Sequence, residues 1–167
     1  MKRYVLLFRN LSKICIMNNT AHFHLIVNHF PIILPFIGLI ILILAIIIKT
    51  EVVKRIAYGL FVFSAISTLI AMNSGEGAEE VVEELGRNHH LIHEHEESAE
   101  TFALISYVLG LFSIIALWFN WKKHPFSNLA MYLTILVCAG TLYFAKAAGT
   151  TGGEISHEEI SAEFKPR

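Results

Sequence analysis

Aspartate is absent from this 167-residue sequence, and only 16% of its residues carry charge. A nucleic-acid surface needs a basic patch or stripe. Here the cations sit in short scattered groups and the formal net charge is −1, so that class of partner is excluded. Cysteine is nearly lacking as well. Cys15 and Cys138 are far apart, and no CxxC pair exists for redox or zinc chemistry. Cys138 lies within an apolar run and reads as a small buried hydrophobe. Hydrolytic motifs are missing too. His95-Glu96 opens as HEESA, without the second histidine that a zinc-protease helix places one turn later. Gly149, Gly152 and Gly153 lack the other residues of a phosphate-binding loop, and they are expected to make a turn. No nucleophile–base arrangement is legible, so no enzyme reaction is assigned.

Apolar side chains are abundant instead: 54% of the residues are hydrophobic and the mean hydropathy is +0.56, too apolar for an ordinary soluble domain. At 1.5 Å rise per residue, about 20 apolar residues cross a hydrocarbon core of ~30 Å. Four runs meet that length or come close, at about 25–48, 52–72, 102–121 and 129–148. Trp118 and Trp121 mark one end of the third run as an interfacial aromatic belt does. Pro31 falls where a helix's first-turn amide is unpaired anyway, while Pro35 lies deeper and is expected to bend the first run. Small residues Ala57, Gly59, Ala65 and Ala71 suit close helix approach in the second. Ser64, Ser67 and Thr68 can return hydrogen bonds to their own backbone, so they need not line a pathway.

The fold class expected is therefore all-α, an antiparallel bundle of four transmembrane helices over residues 20–149. A basic leader at 1–19 precedes it and a polar tail at 150–167 follows. The organised pattern begins only after Met17, an alternative start. Lys49, Lys54, Arg55, Lys122 and Lys123 sit in the first and third connections, whereas the middle connection has Arg87 alone. That bias places the first and third connections in the cytoplasm of a bacterial inner membrane, with both termini and the middle connection outward.

The middle connection is where polarity gathers. Residues 73–100 hold nine of the fourteen acids and four of the nine histidines. With four spans, the start of the first, the end of the second, the start of the third and the end of the fourth share one membrane face. That face collects every histidine except His124. Imidazole and carboxylate together suit zinc, iron or manganese, so His24, His29, Glu76, Glu80, His93, His95, Glu97 and His157 are the candidate metal ligands. The rival is haem b, with His29 and His93 or His95 as axial ligands and Phe23, Phe30, Phe102 and Tyr107 as pocket walls. His29 is the sharpest candidate, because a polar group inside an apolar span is costly without a role. For His89, His90, Glu83, Glu84 and Glu94 a solvated face is the plainer reading, and Asn28 reads as a structural partner. His22 and His29 lie seven apart on one stripe while His24 points elsewhere.

Several stretches resemble a group of small four-span bacterial membrane proteins catalogued as a domain of unknown function. They are H-x-H-L-x-x-N-H-F-P at 22–31, S-G-E-G-A-E-E at 74–80, His95-Glu96 before Ala99, and G-G-E-I-x-H-x-E at 152–159. Pro35-Phe36 and the basic leader depart from that group's pattern. The resemblance implies a four-span fold and a shared outward polar site; suspected haem or electron-transfer roles of some relatives add weight to the haem rival. Two further expectations compete with a redox or metal-binding subunit. One is a structural or assembly subunit, alone as a homo-oligomer or docked on a larger membrane redox complex; the other, weaker, is a transporter.

Overall fold

A computed structural model describes residues 20–161. The leader, with Cys15 and Met17, and the last six residues lie outside this part. The elements are α1 (20–27), α2 (Phe30–Ile47), α3 (Glu51–Glu84), α4 (His89–Trp121) and α5 (Ser127–Ser156), followed by a 3-10 turn at Glu158–Ile160. No strand occurs among the described residues. Since α1 and α2 form one interrupted rod, the described residues make four rods, each long and apolar enough to cross a membrane. It is an all-α integral-membrane protein. Each rod packs on the next in sequence, and α5 closes back on α2.

Large apolar side chains face outward along every rod, among them Ile40, Ile66, Leu111 and Leu136, as a hydrocarbon surrounding requires. The interior is built around Leu42, Tyr58, Phe61, Leu109, Met131 and Cys138 with small residues between them. Packing between membrane helices depends on close backbone approach rather than on water exclusion. Gly110 shows how close: a Cβ there would sit 2.6 Å from the Cβ of Ala65, so α3 and α4 meet at this glycine.

All three reversals are made the same way. After α2, the amide of Thr50 donates to Ala45 O and that of Lys49 to Ile46 O. After α3, Arg87 donates to Val82 O and Gly86 to Glu83 O. After α4, His124 donates to Phe119 O and Lys123 to Asn120 O. This is the paired closure that satisfies the last carbonyls of a helix, and it requires a left-handed residue just past the cap. Lys49 (φ 54°), Gly86 (φ 72°) and Lys123 (φ 51°) supply it.

The interruption of the first rod falls at Asn28 and His29, ahead of both prolines. Pro31 has no amide proton for Val27 O, so the helical ladder lapses one turn ahead of it, where α1 ends. Pro35 stays inside α2. It leaves Pro31 O without the usual amide, and Ser64 of α3 donates its hydroxyl to that oxygen at 3.1 Å. Ser67 and Thr68 do bond back to their own helix, at Phe63 O and Ser64 O. Helix α5 runs through Gly149, Gly152 and Gly153 to Ser156 instead of making the expected turn, and α3 likewise runs unbroken through Gly75 and Gly77 to Glu84. The lost side chains make room for neighbours: a Cβ at Gly77 would collide with the Thr20 side chain. Beyond the apolar runs a small cluster of Leu91, Ile92 and Ile155, with Val82 against it, ties α3, α4 and α5 together.

Candidate functional site at the acidic mouth

Only two of the candidate histidines turn inward. His24, on α1, donates from Nδ1 to Ala71 O of α3 at 3.0 Å, and the same nitrogen lies 3.0 Å from Ser74 Oγ. The Ser74 hydroxyl gives its own proton to Ala71 O. His95, on α4, lies with Nδ1 3.1 Å from Thr151 Oγ1 of α5. Thr151 directs its proton to the carbonyls of Ala147 and Ala148, so it accepts from the His95 ring. Each ring thus carries its proton on Nδ1 and keeps Nε2 as a bare lone pair. Helix α5 admits His95 because residue 152 is glycine: a Cβ there would lie 2.9 Å from Cε1 of the ring. The two imidazoles belong to one neighbourhood, close enough for the charge of His24 to act on His95. Burial, and then that neighbour, pushes the His95 imidazole below its ordinary value, with the Ala148 carbonyl and Glu96 opposing.

A carboxyl pair lies beside them. Glu79 of α3 is within hydrogen-bond reach of Glu96 of α4. Burial raises the Glu79 carboxyl, and Glu96, Glu83 and Glu76 raise it further. Nearby, Asn28 Oδ1 is buried without a hydrogen-bond partner.

The other candidates do not join this group. His29 is exposed at the break between α1 and α2, and its Nδ1 donates to Leu25 O of its own rod at 3.1 Å. His93 is exposed and faces Glu96 (3.6 Å) and Glu97 (3.4 Å) of its own helix. His157 is exposed against Glu159, 3.1 Å away within the same short segment. Glu76 and Glu80 are exposed as well.

The expected metal site is therefore corrected. Among the described residues no group of three or more histidine, cysteine or acidic side chains is placed to hold a metal ion. The physical reason is helical self-pairing. His93 and Glu97 are spent on each other, His157 on Glu159, and His29 on its own backbone, while Glu76 and Glu80 point away from His24 and His95. The expectation of a zinc, iron or manganese centre falls with that grouping, and so does the metal-binding redox subunit built on it.

Haem b is corrected on the same grounds and on its walls. Of the proposed axial ligands His29 and His93 face outward. Of the proposed wall residues Phe23, Phe30 and Tyr107 are exposed, and Phe102 alone is buried, packed with Ala145 and Ala148. The aromatic contacts cluster instead around Phe119 and His124, at the opposite end of the bundle.

That opposite end has a polar knot of its own. Arg55 Nε donates to Asn120 Oδ1 at 2.7 Å, Asn120 Nδ2 donates to Glu51, and Lys54 pairs with Glu51 at 2.7 Å. Asn120 is buried, and the Tyr58 hydroxyl one turn further in has no partner.

Sequence reasoning missed Ser74, Glu79, Thr151 and Gly152 at the mouth. Ser74 and Glu79 belong to the polar stretch at 73–100, but only Glu76 and Glu80 were singled out as ligands on that part of α3. Thr151 and Gly152 were assigned to a tail that is in fact helix. No protein-family profile matches the chain, and no curated protein or solved structure is detectably similar to it.

Proposed function

We propose that the chain is a non-catalytic assembly subunit of a larger complex in a bacterial plasma membrane, or of its own oligomer. The observation that carries this reading is the outward set of the mouth's acids. Glu76, Glu80, Glu83, Glu84, Glu94, Glu97 and Glu100 are all exposed on helical extensions of α3 and α4. The basic side chains facing them include histidines of the same segment, as in His89–Glu83 and His90–Glu94. Fixed helices carrying exposed negative charge make a docking platform for a basic protein surface, which such a field also steers toward it.

The lipid faces support the same reading. Gly59 on α3 and Gly140 on α5 meet open space, and small residues on outward faces let a further membrane helix approach closely. The basic first and third connections put the platform on the outer side. The four-span resemblance of residues 22–31, 74–80 and 152–159 is consistent with this placement. The membrane-crossing parts in this reading are about 25–48, 52–72, 102–121 and 129–148.

The test is photo-crosslinking in native membranes from probes at Glu80 and Glu97. A discrete crosslinked species should form. It should be lost when Glu76, Glu80, Glu83 and Glu84 are changed together to glutamine, with membrane insertion unchanged. A species that survives this neutralisation, or no crosslink from either position, would overturn the assembly reading.

A further inference from the structure

A groove of about 170 Å³ opens between the end of α4 and the start of α5. Phe112, Ile115 and Phe119 line it from α4, and Leu129 and Leu133 from α5 with Phe126 just before it and the small, buried Ala130 among them. Each wall spans eight residues, seven steps of 1.5 Å, so the groove runs roughly 10 Å along the helices. Every lining side chain is apolar, so the groove offers an occupant hydrocarbon contact and no hydrogen bond.

Its end is different in kind. The connection that closes it is Lys122-Lys123-His124, and both lysines are exposed. Neither makes an ion pair among the described residues. No acid occurs between Thr101 and Gly153, and Glu51, the acid that reaches this end from α3, is engaged by Lys54 and Asn120. His124 stacks on Phe119, ring centroids 4.4 Å apart and planes 16° from parallel, which fixes the imidazole at the groove's mouth. The Phe126 amide donates to His124 Nδ1 at 3.3 Å. That nitrogen is therefore bare, and the ring proton sits on Nε2 as a donor. Trp118 and Trp121, 54% and 70% exposed, place this level at the membrane–water interface.

From this juxtaposition of an apolar groove with an unanswered cation pair and an imidazole donor, we infer that the α4–α5 groove is a binding site for an anionic phospholipid. An acyl chain lies along Phe112–Phe119 and Phe126–Leu133, and the phosphate rests at Lys122, Lys123 and His124. A partner helix would fill the groove but leave the two lysines unanswered. A neutral phospholipid would bring a cationic headgroup to them.

The experiment uses the full chain reconstituted in mixed vesicles of phosphatidylglycerol and phosphatidylcholine, released gently and weighed with its retained lipid by native mass spectrometry. Wild type should retain phosphatidylglycerol with at least a several-fold preference over phosphatidylcholine. K122Q/K123Q should lose that preference. A130F, which fills the groove, should lose retained lipid of either kind, with helix content by circular dichroism unchanged. K49Q, which removes a lysine from the other basic connection at the same end, should behave as wild type. Equal retention of both lipids by wild type would overturn the site, as would a preference that survives K122Q/K123Q. Loss of preference in K49Q equal to that in K122Q/K123Q would also overturn it, by showing a diffuse effect of surface charge.

Discussion

Single residues settle where this chain departs from regular helix. Pro35 costs α2 one backbone bond, and Ser64 of the neighbouring rod answers the freed Pro31 carbonyl. A buried hydrogen bond contributes about 1 kcal/mol net, so Ser64→Ala should destabilise the bundle by about that amount in detergent unfolding. In a Pro35→Ala background the amide returns and the same change should cost clearly less. Equal costs in both backgrounds would refute the coupling. The reversals make a second point. A left-handed lysine is strained by roughly 1 kcal/mol, so Lys49→Gly should raise the unfolding midpoint and Gly86→Ala should lower it. This scale was only partly legible. Gly86 announces its turn by residue type, whereas Lys49 and Lys123 look like ordinary basic connectors and reveal the same geometry only through φ.

At the scale of elements, the extensions of α3, α4 and α5 beyond their apolar runs decide what the mouth can do. The four rods and their alternation were readable from hydropathy, because lipid demands long apolar runs. The inward side of each extension was not. Periodicity put His22 and His29 on one stripe and set His24 apart, yet it could not say which side faced the bundle, and the chosen side was the exposed one. Gly152 read as part of a turn because its role depends on His95, which comes from another helix.

Placing His95 against Thr151 has a consequence for pH. Its folded-state value lies below the ordinary 6.5, so the unfolded chain binds the proton more readily. The stabilising contribution is whole above pH 6.5 and is lost as pH falls through the folded value. Thermal unfolding in detergent should therefore move to lower temperature as pH drops below 6.5, and His95→Gln should flatten that dependence. Glu79 has the opposite sign. Its carboxyl is raised above 4.5, so its contribution is present below pH 4.5 and is lost as pH rises through the folded value. Glu79→Gln should accordingly raise stability at neutral pH, and a lowered midpoint there would contradict the shared-proton pairing with Glu96.

Taken whole, the molecule separates three surfaces: a lipid-facing girdle, a basic end with an apolar groove, and an acidic end. Composition alone announced the first, and charge counting the other two. What composition could not convey is that His90, His93 and His157 pair with acids of their own segment, Glu94, Glu96 or Glu97, and Glu159. That self-pairing removed the metal and haem expectations and left an exposed electrostatic face. Docking through such a face should be sensitive to salt, since exposed charges are screened beyond about 8 Å at physiological ionic strength. The crosslinked species expected from Glu80 and Glu97 should weaken as ionic strength rises, whereas contacts made through Gly59 and Gly140 within the bilayer should not.

Helix α4 is 33 residues long, about 50 Å at 1.5 Å per residue, while a hydrocarbon core is only ~30 Å thick. The surplus stands almost entirely at one end, because Trp121 already closes the other. The protein is shaped like a post set flush with the floor and rising roughly 20 Å above the ceiling. Whatever rests on that raised part must have a portion outside the bilayer at that height; a companion confined to the oily interior would reach only the lipid-facing sides below it.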